Sequence, residues 1–314
     1  MKKKAIIISI KGVKLTRNEK LLISKEKPWG IILFKRNIKS FNQITKLTQN
    51  IKNITKDKFF PILIDEEGSS VTRLGNLINN NIPASYFGNL YTINKQMSIN
   101  LYKEYLNSIC KNLKNIGVNI NTIPVLDLLR RNTSKVIGNR SFSNKKKIVK
   151  ILGKITVNQC NMNKVISVIK HIPGHGCATF DSHFKTPKVN LSKNILDKND
   201  FYPFKNNMAS LAMTAHILYK KIDNKNVATF SKKIIKEIIR KKIGYKGIIM
   251  SDDISMKALN YDLVTNAKKS LEAGCNLVLY CAGNIKDNFK LIKSVPYIDN
   301  FTSKKTSEIY KILR

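Results

Sequence analysis

Polar residues that could transfer protons or act as nucleophiles stand directly after short apolar segments of this 314-residue chain. They are Asp65-Glu66-Glu67-Gly68, Asp127, the segment from Lys170 to Gly176, His216 and Ser251-Asp252-Asp253. Only 20 residues are Asp or Glu and only 4 are His, so their gathering at these positions is conspicuous. A carboxylate can attack as a nucleophile, and an imidazole can donate or accept a proton near neutral pH. The placement indicates an active site, although Asp253 is expected to cap the following loop.

The longest informative stretch runs from residue 170 to residue 187 and has the sequence KHIPGHGCATFDSHFKTP. Gly174 and Gly176 permit a sharp turn, after which the loop could move. Asp181 and His183 are separated by one residue, so the carboxylate can hydrogen-bond the imidazole, fix its tautomer and raise its pKa. His183 is therefore a candidate proton donor and acceptor.

Two other interpretations apply to the histidines of this stretch. His171, His175 and His183 could bind a metal, but zinc motifs commonly place two histidines four residues apart on a helix. Pro173 and the neighbouring glycines disfavour a helix here. The histidines could also be polar groups that are simply satisfied by hydrogen bonds. We expect neither a metal nor a cofactor.

The elements that must position these residues alternate along the chain. Apolar, β-branched segments predict eight strands, at Ala5–Ile10, Gly30–Phe34, Pro61–Ile64, Val118–Ile123, Val165–Ile169, Leu211–Ala215, Gly247–Met250 and Asn276–Tyr280. Helical periodicity predicts helices at about 40–56, 95–116, 145–162, 231–243, 262–273 and 284–293, with a closing helix at Ser303–Leu313. Residues 229–231 supply the N-cap of the fourth of these helices.

This alternation is typical of an α/β protein with a single (β/α)8 TIM-type barrel, whose active site lies past the carboxyl ends of the strands. A doubly wound sheet is the alternative, but no G-x-G-x-x-G motif follows the first strand. The sequence contains no internal repeat and no linker rich in Pro or Ser. We therefore expect one catalytic domain over residues 1–314.

The chain is strongly basic, with 57 Lys or Arg residues against the 20 acids and a formal charge of +37. These cations are mostly lysines spread over the whole length, which favours a solvated basic surface over a nucleic-acid footprint. The hydrophobic content of 42% is typical of a globular protein. The composition therefore predicts no nucleic-acid partner.

The spacing of the cysteines and the length of the apolar runs predict where in the cell the protein is located. The five cysteines include no C-x-x-C pair, which predicts neither a disulfide framework nor a zinc ribbon. The apolar run at residues 5–10 is too short for a signal peptide, and no run approaches the roughly 20 residues of a membrane helix. We expect a cytoplasmic protein without a membrane contact.

Six motifs stand along the chain, namely Asp65-x-Glu67-Gly68-x-x-Val71-x-Arg73, Ile137-Gly138-x-Arg140-Ser141-Phe142-Ser143, Lys170-His171-x-Pro173-Gly174-His175-Gly176, Asp181-Ser182-His183, Thr214-Ala215-His216 and Ser251-Asp252-Asp253-x-Ser255-Met256. Together they resemble the motifs of the bacterial β-N-acetylhexosaminidases of glycoside hydrolase family 3. They follow the family order from about residue 60 to residue 260. The chain departs from the family pattern at Ser69-Ser70 and at Cys177-Ala178, which could change loop mobility or rate.

The resemblance implies a role for each matching position. Asp252 resembles the nucleophile, and His183 resembles the acid/base, with Asp181 as its orienting partner. The residues that resemble the sugar-binding set are Asp65, Arg73, Arg140, Lys170 and His171. Two successive inversions would then retain the anomeric configuration.

The expected function is exo-hydrolysis of terminal β-linked N-acetylglucosamine by a monomeric enzyme. The resemblance further implies 1,6-anhydro-N-acetylmuramic acid muropeptides as substrates, in the recycling of cell-wall peptidoglycan. One alternative is a β-glucosidase-like hydrolase of the same family. Another is a basic protein that binds nucleic acid or an anionic polymer, which would not require carboxylates at strand ends.

Overall fold

A closed barrel of eight parallel strands forms the centre of the computed structural model, which describes residues 2–178 and 185–314. The barrel strands are β1 (Lys4–Ser9), β2 (Pro28–Leu33), β3 (Ile62–Ile64), β4 (Ile120–Asn121), β5 (Ile166–Ile172), β7 (Leu211–Thr214), β9 (Ile248–Asp253) and β10 (Leu277–Leu279). Outside the barrel, β6 (Lys188–Val189) pairs in parallel with β8 (Leu218–Tyr219), a small sheet that the sequence analysis did not predict. The predicted (β/α)8 barrel is confirmed, and the doubly wound alternative was wrong because β1 pairs with both β2 and β10.

Helices surround the barrel. They are α1 (Arg17–Glu26), α2 (Phe41–Thr55), α3 (Ala84–Ile93), α4 (Lys95–Asn115), α5 (Lys146–Met162), α6 (Lys193–Lys198), α7 (Leu263–Ala273), α8 (Ile285–Ser294) and α9 (Asn300–Leu313), with a π-helix at Ile234–Lys242. The predicted helices agree with these bounds to within about three residues, whereas α1, α3 and α6 were not predicted. The predicted cap before the π-helix is present, since Ser231 Oγ accepts the Ile234 N–H at 3.1 Å. None of the helices in the described part of the chain has the length and apolar character to cross a membrane.

The barrel strands are apolar on both faces. On β3, Leu63 packs inside the barrel with Ile7 and Ile166. Its neighbours Ile62 and Ile64 belong to the outer core between the strands and the helices. Side chains of successive strand residues point to opposite faces, so a strand covered on both sides needs a continuous apolar run. This requirement explains why the apolar runs predicted the strands well.

One glycine permits α3 to lie against the segment that follows Arg140. A Cβ atom at Gly88 would lie 1.6 Å from the carbonyl oxygen of Phe142. No side chain can occupy that space without a shift of the backbone. The contact lies two residues after Arg140, so the position of α3 and the position of the segment that carries Arg140 depend on each other.

We predict that Gly88→Ala lowers the free energy of unfolding by about 1–3 kcal/mol, the usual cost of overpacking. The sign is informative, because alanine in a helix otherwise stabilises by about 1 kcal/mol relative to glycine. Chemical denaturation should show the loss. Gly12→Ala is the matched control, since no atom lies within 4 Å of its added Cβ. Equal stability of the two variants would contradict the close approach.

Candidate active site

One cavity of about 400 Å³ lies at the carboxyl ends of the barrel strands and is lined in part by the strand-end residues. Its lining includes all five predicted sugar-binding residues and the predicted nucleophile, namely Asp65, Arg73, Arg140, Lys170, His171 and Asp252. Residues from β3, β5 and β9 thus meet because the strands of a barrel end at the same mouth. The other two predicted catalytic residues, Asp181 and His183, lie outside the described residues.

Lys170, on β5, is the cation at the centre of this cavity. Its side chain is only 3% exposed, and its Nζ atom lies 2.5 Å from Glu67 Oε1 and 3.4 Å from Asp65 Oδ1. It also donates to Thr122 Oγ1 at 2.9 Å. A buried ammonium ion is tolerated only when it is paired and hydrogen-bonded. The two carboxylates after β3 therefore fix the position of Lys170.

Glu67 links Lys170 to Arg140. The Arg140 guanidinium donates to both carboxylate oxygens of Glu67, from Nε at 2.7 Å and from Nη2 at 2.9 Å. Burial alone would raise the pKa of Glu67, but Arg140 and Lys170 lower it to about 2. A bidentate pair of this kind fixes the orientation of the guanidinium plane and also balances its charge. Arg140 is thereby held on the cavity wall, with Nη1 donating to the Val136 carbonyl at 2.8 Å.

Asp65 forms the second half of this arrangement. Its Oδ2 atom lies 3.0 Å from Arg73 Nη2, and its Oδ1 atom accepts the Thr122 hydroxyl. Burial opposes ionisation, yet Lys170 and Arg73 hold the pKa of Asp65 well below its usual range. We name the five residues Asp65, Glu67, Arg73, Arg140 and Lys170 the charge cluster. It presents fixed donors and acceptors to the cavity.

A buried carboxylate binds the ring of one histidine of the β5 turn and the backbone of the other. Asp127 is fully buried and lies 2.6 Å from His171 Nδ1, while it accepts the His175 N–H at 2.6 Å. Burial would raise the pKa of Asp127, but the neighbouring His171 lowers it. An ionised Asp127 can only accept a hydrogen bond, so the Nδ1 atom of His171 carries the proton that it donates to Asp127. The Nε2 atom of His171 is then available to a ligand in the cavity that His171 lines.

His175 differs from His171, because burial lowers its pKa to about 4 and leaves it neutral at pH 7. Within residues 2–178 and 185–314, no three His, Cys, Asp or Glu side chains are grouped as metal ligands would be. His183, the third member of the alternative metal set, lies outside these ranges. Of the described members of that set, His171 hydrogen-bonds Asp127 through its ring, whereas His175 does so through its backbone N–H.

Asp252 is the penultimate residue of β9 and lines the same cavity as the charge cluster. Its Oδ1 atom accepts the Asp253 N–H at 2.7 Å. Burial would raise the pKa of Asp252, but His171 and the hydrogen bond from the Asp253 N–H oppose this and the net shift is downward. The carboxylate is therefore ionised near neutral pH. An ionised carboxylate at the floor of a polar cavity is a competent nucleophile.

Asp253 has a different task. Its carboxylate accepts the Ser255 N–H at 3.1 Å, the Ser255 hydroxyl at 2.7 Å and the Cys281 N–H at 3.2 Å. Burial raises the pKa of Asp253. These contacts hold the loop after β9, as the sequence analysis expected for this residue.

His216 supports the same loop from the neighbouring strand end. Its Nε2 atom lies 3.0 Å from the Asp253 carbonyl oxygen, and its Nδ1 atom lies 2.7 Å from Thr229 Oγ1. A carbonyl only accepts, so Nε2 carries the proton. Burial lowers the pKa of His216, which makes the neutral imidazole an acceptor at Nδ1. His216 thus positions the backbone next to Asp252.

The predicted sharp turn after β5 is present. Gly174 has a φ of +137°, and a Cβ at Gly176 would lie 2.0 Å from the Leu128 carbonyl oxygen. Only Gly174 needs an unusual backbone angle, whereas Gly176 is required by the close approach of another backbone. Cys177, one of the departures from the family pattern, lies with its Sγ atom 2.9 Å from Asp200 Oδ1. The movement of the loop stays a prediction, because residues 179–184 are not among those described.

Comparison with known proteins identifies the family. The family model that describes the glycosyl hydrolase family 3 N terminal domain matches residues 2–305 of this chain. The chain belongs to glycosyl hydrolase family 3. This finding confirms the predicted family and the predicted enzyme class, a glycoside hydrolase of the β-N-acetylhexosaminidase group.

Individual relatives of this family 3 hydrolase agree with that assignment. The β-hexosaminidase of Nitrosomonas eutropha is 33% identical over 281 residues, covering 88% of this chain and 80% of that protein. The β-hexosaminidase of Haemophilus influenzae is 31% identical over 304 residues, covering 93% and 85%. The crystal structure of NagZ from Neisseria gonorrhoeae with N-trifluoroacetyl-D-glucosamine superposes with a TM-score of 0.90 and 28% identity, covering 98% of this chain and 90% of that one.

Two residues that organise the site of this family 3 hydrolase had no role predicted from the sequence. Glu67 bridges Lys170 and Arg140, and Asp127 holds His171. Asp127 was noticed only as an acid that follows a strand, and Glu67 as such an acid and as part of a family motif. Their scarcity in a basic chain was the available signal, but their partners could not be assigned from spacing alone.

We predict that Glu67→Gln lowers the free energy of unfolding at pH 7 by about 3–5 kcal/mol, because Lys170 and Arg140 lose a shared buried counter-charge. Urea denaturation measures the change. Glu104→Gln, which removes an exposed carboxylate, should change stability by about 0.5 kcal/mol or less. A similarly small loss of stability in Glu67→Gln would show that the ion pairs of Glu67 with Lys170 and Arg140 do not hold the charge cluster together.

The same variant has an expected pH dependence. The pKa of Glu67 is about 2 in the folded chain against an ordinary value of 4.5. Its stabilising contribution is therefore complete above pH 4.5 and is lost as the pH falls towards 2. The stability difference between the wild type and Glu67→Gln should narrow through this window in denaturation series at fixed ionic strength. A difference that stays constant with pH would contradict the assigned pKa.

Proposed function

We propose that this family 3 hydrolase is a retaining exo-β-N-acetylglucosaminidase that removes terminal, non-reducing β-linked N-acetylglucosamine. The observation that carries the proposal is the position of an ionised Asp252 in one cavity with the charge cluster and His171. The relatives named β-hexosaminidase and the neighbour solved with an N-acylated glucosamine support this substrate class.

The charge cluster is suited to hold the sugar. Ionised Asp65 can accept sugar hydroxyl protons, while Arg73, Arg140 and Lys170 can donate to hydroxyl oxygens and to the N-acetyl carbonyl. His171 offers Nε2 on the same wall. Because these groups are already held by their own ion pairs, binding requires little reorganisation of the protein.

Asp252 is proposed to attack the anomeric carbon in the first step. The bond from that carbon to the leaving-group oxygen breaks, and its electron pair stays on that oxygen. His183, oriented by Asp181, donates a proton to the same oxygen, so a neutral alcohol leaves and a glycosyl ester forms on Asp252. In the second step His183 takes a proton from water, the water oxygen attacks the anomeric carbon, and Asp252 leaves as a carboxylate. Two inversions give net retention.

A histidine acid/base has an electrostatic advantage in this site. After it donates its proton, His183 is neutral, whereas a second carboxylic acid would become an anion beside the departing oxygen. The usual pKa of histidine is also close to neutral pH, so little tuning by burial is needed.

The proposed natural substrates are muropeptides that carry 1,6-anhydro-N-acetylmuramic acid, released during peptidoglycan recycling in the cytoplasm. This finer assignment rests on the resemblance to the single-domain hexosaminidases of the family. A monomer is the proposed active form, as the sequence analysis expects.

We predict cleavage of a chromogenic β-N-acetylglucosaminide, with the matching β-glucoside cleaved much more slowly. Asp252→Asn should lower kcat to the background, because an amide cannot form the glycosyl ester, and His183→Ala should lower it by about 10²- to 10⁴-fold. Rates are followed by release of the chromophore without added metal, before and after treatment with a chelator.

The matched control is Asp262→Asn, because Asp262 caps α7 through its side chain and asparagine caps helices equally well. This variant should retain wild-type rates. Full activity of Asp252→Asn would refute the assigned nucleophile, and loss of activity on chelation would favour metal chemistry instead. Equal rates on the two glycosides would favour a β-glucosidase.

A further inference from the structure

The aromatic ring of Phe34 lies next to one member of the charge cluster. Phe34 directly follows β2 at the carboxyl end of the barrel strands, and its side chain packs against the apolar core inside the barrel. The Arg73 guanidinium lies over the Phe34 ring, with its central carbon 5.2 Å from the ring centroid. Phe34 does not line the active-site cavity, whereas Arg73 does. An effect of Phe34 on a bound sugar would therefore be indirect.

A second guanidinium lies over the same ring. The central carbon of Arg36 is 4.7 Å from the Phe34 ring centroid. Arg36 is fixed there by neutral acceptors, since its Nη2 atom donates to Ser9 Oγ at 2.7 Å and to the Cys281 carbonyl at 2.5 Å. Burial lowers the pKa of Arg36, and the positive charge of Arg73 acts in the same direction. The two guanidinium groups are thus close enough to repel each other.

The backbone and the guanidinium of Arg73 are held by different groups. The Arg73 N–H donates to Glu66 Oε2 at 2.8 Å, and the same oxygen accepts the Leu74 N–H at 2.9 Å. The guanidinium lies 3.0 Å from Asp65 Oδ2 through Nη2, whereas its buried Nε atom has no hydrogen-bond partner among the described residues. The loop is therefore fixed without Phe34, while the direction of the guanidinium depends on Asp65 and on the Phe34 ring.

The ring can offset the repulsion between the two arginines. The face of an aromatic ring is negative and attracts cations, most strongly where they are partly removed from water. We propose that Phe34 is a positioning residue that directs the Arg73 guanidinium towards the bound sugar. The inference rests on the proposed function, in which Arg73 donates to sugar oxygens. Phe34 itself touches neither the substrate nor the reacting atoms.

This role has a distinct kinetic signature. Arg73 is proposed to bind the sugar in the ground state and in the transition state alike, so a misdirected guanidinium weakens both equally. We expect Phe34→Leu to raise KM for the chromogenic β-N-acetylglucosaminide about three- to tenfold, as for a partly desolvated cation–π contact, with kcat changed by less than about twofold. Phe34→Tyr keeps the ring and should have a KM within about twofold of the wild type.

Fluorinated phenylalanines separate the charge of the ring from its volume. Fluorine withdraws electron density from the ring face and changes the size of the ring only slightly. Monofluoro-, difluoro- and pentafluoro-phenylalanine in place of Phe34 should therefore raise KM in that order. The matched control is Phe60, whose ring centroid lies 4.8 Å from Lys3 Nζ and which precedes β3 at the other end of the barrel strands. The same analogues in place of Phe60 should leave KM unchanged.

A double variant tests whether Phe34 acts through Arg73. Arg73→Met removes the guanidinium and keeps an apolar side chain. In that background Phe34→Leu should cause no further rise in KM, because the group that the ring positions is absent. Urea denaturation of the same variants separates this role from a loss of packing. A purely structural residue would lower stability and would show no dependence of KM on Arg73 or on ring fluorination.

The outcomes distinguish the role of Phe34 from the proposed function. An unchanged KM in Phe34→Leu, a KM that does not vary along the fluorinated series, or rises in KM that multiply in the double variant would overturn the positioning role alone. If the wild type did not cleave the aryl N-acetylglucosaminide, the proposed function would be refuted, together with the inference that rests on it.

Discussion

Lys170 carries a positive charge into a position that is 3% exposed, and the barrel mouth is arranged around the need to neutralise it. The barrel supplies the solution geometrically, because Asp65 and Glu67 after β3 and Thr122 after β4 end beside β5. Arg140, on a loop far along the chain, donates to the same Glu67 carboxylate. Removal of one partner would leave an uncompensated buried charge, so these residues depend on one another.

The same arrangement makes the cavity useful for chemistry. Charges that are fixed before substrate arrives can select hydroxyl and amide groups without the cost of reordering side chains. His171, the Asp253 N–H and Lys170 counter the effect of burial on the pKa of Asp252. The nucleophile is therefore ionised even though it is enclosed. The proposed sugar binding and the proposed reactivity of Asp252 therefore both depend on the pairing of charged side chains at the barrel mouth.

The sequence alone predicts the barrel well, because each strand is buried on both faces and must be continuously apolar. It fails where short-range patterns are weak. Helix α1 (Arg17–Glu26) has few apolar residues and is specified mainly by its cap, in which Thr16 and Glu19 satisfy each other's backbone. The strand-end acids are visible in the sequence, but their partners are not. Glu67 pairs with a residue 73 positions away, and the resemblance to the family was needed to predict that Arg140 faces the same cavity.

Covalent trapping tests the central claim most directly, because the account requires a glycosyl ester on one named carboxylate. The enzyme would be incubated with an activated 5-fluoro analogue of N-acetylglucosamine, digested and analysed by mass spectrometry. We expect one glycosyl group per chain on the peptide that contains Asp252, and no label in Asp252→Asn. A label on another residue, or turnover of the substrate with inversion and no trapped species, would contradict the proposed mechanism.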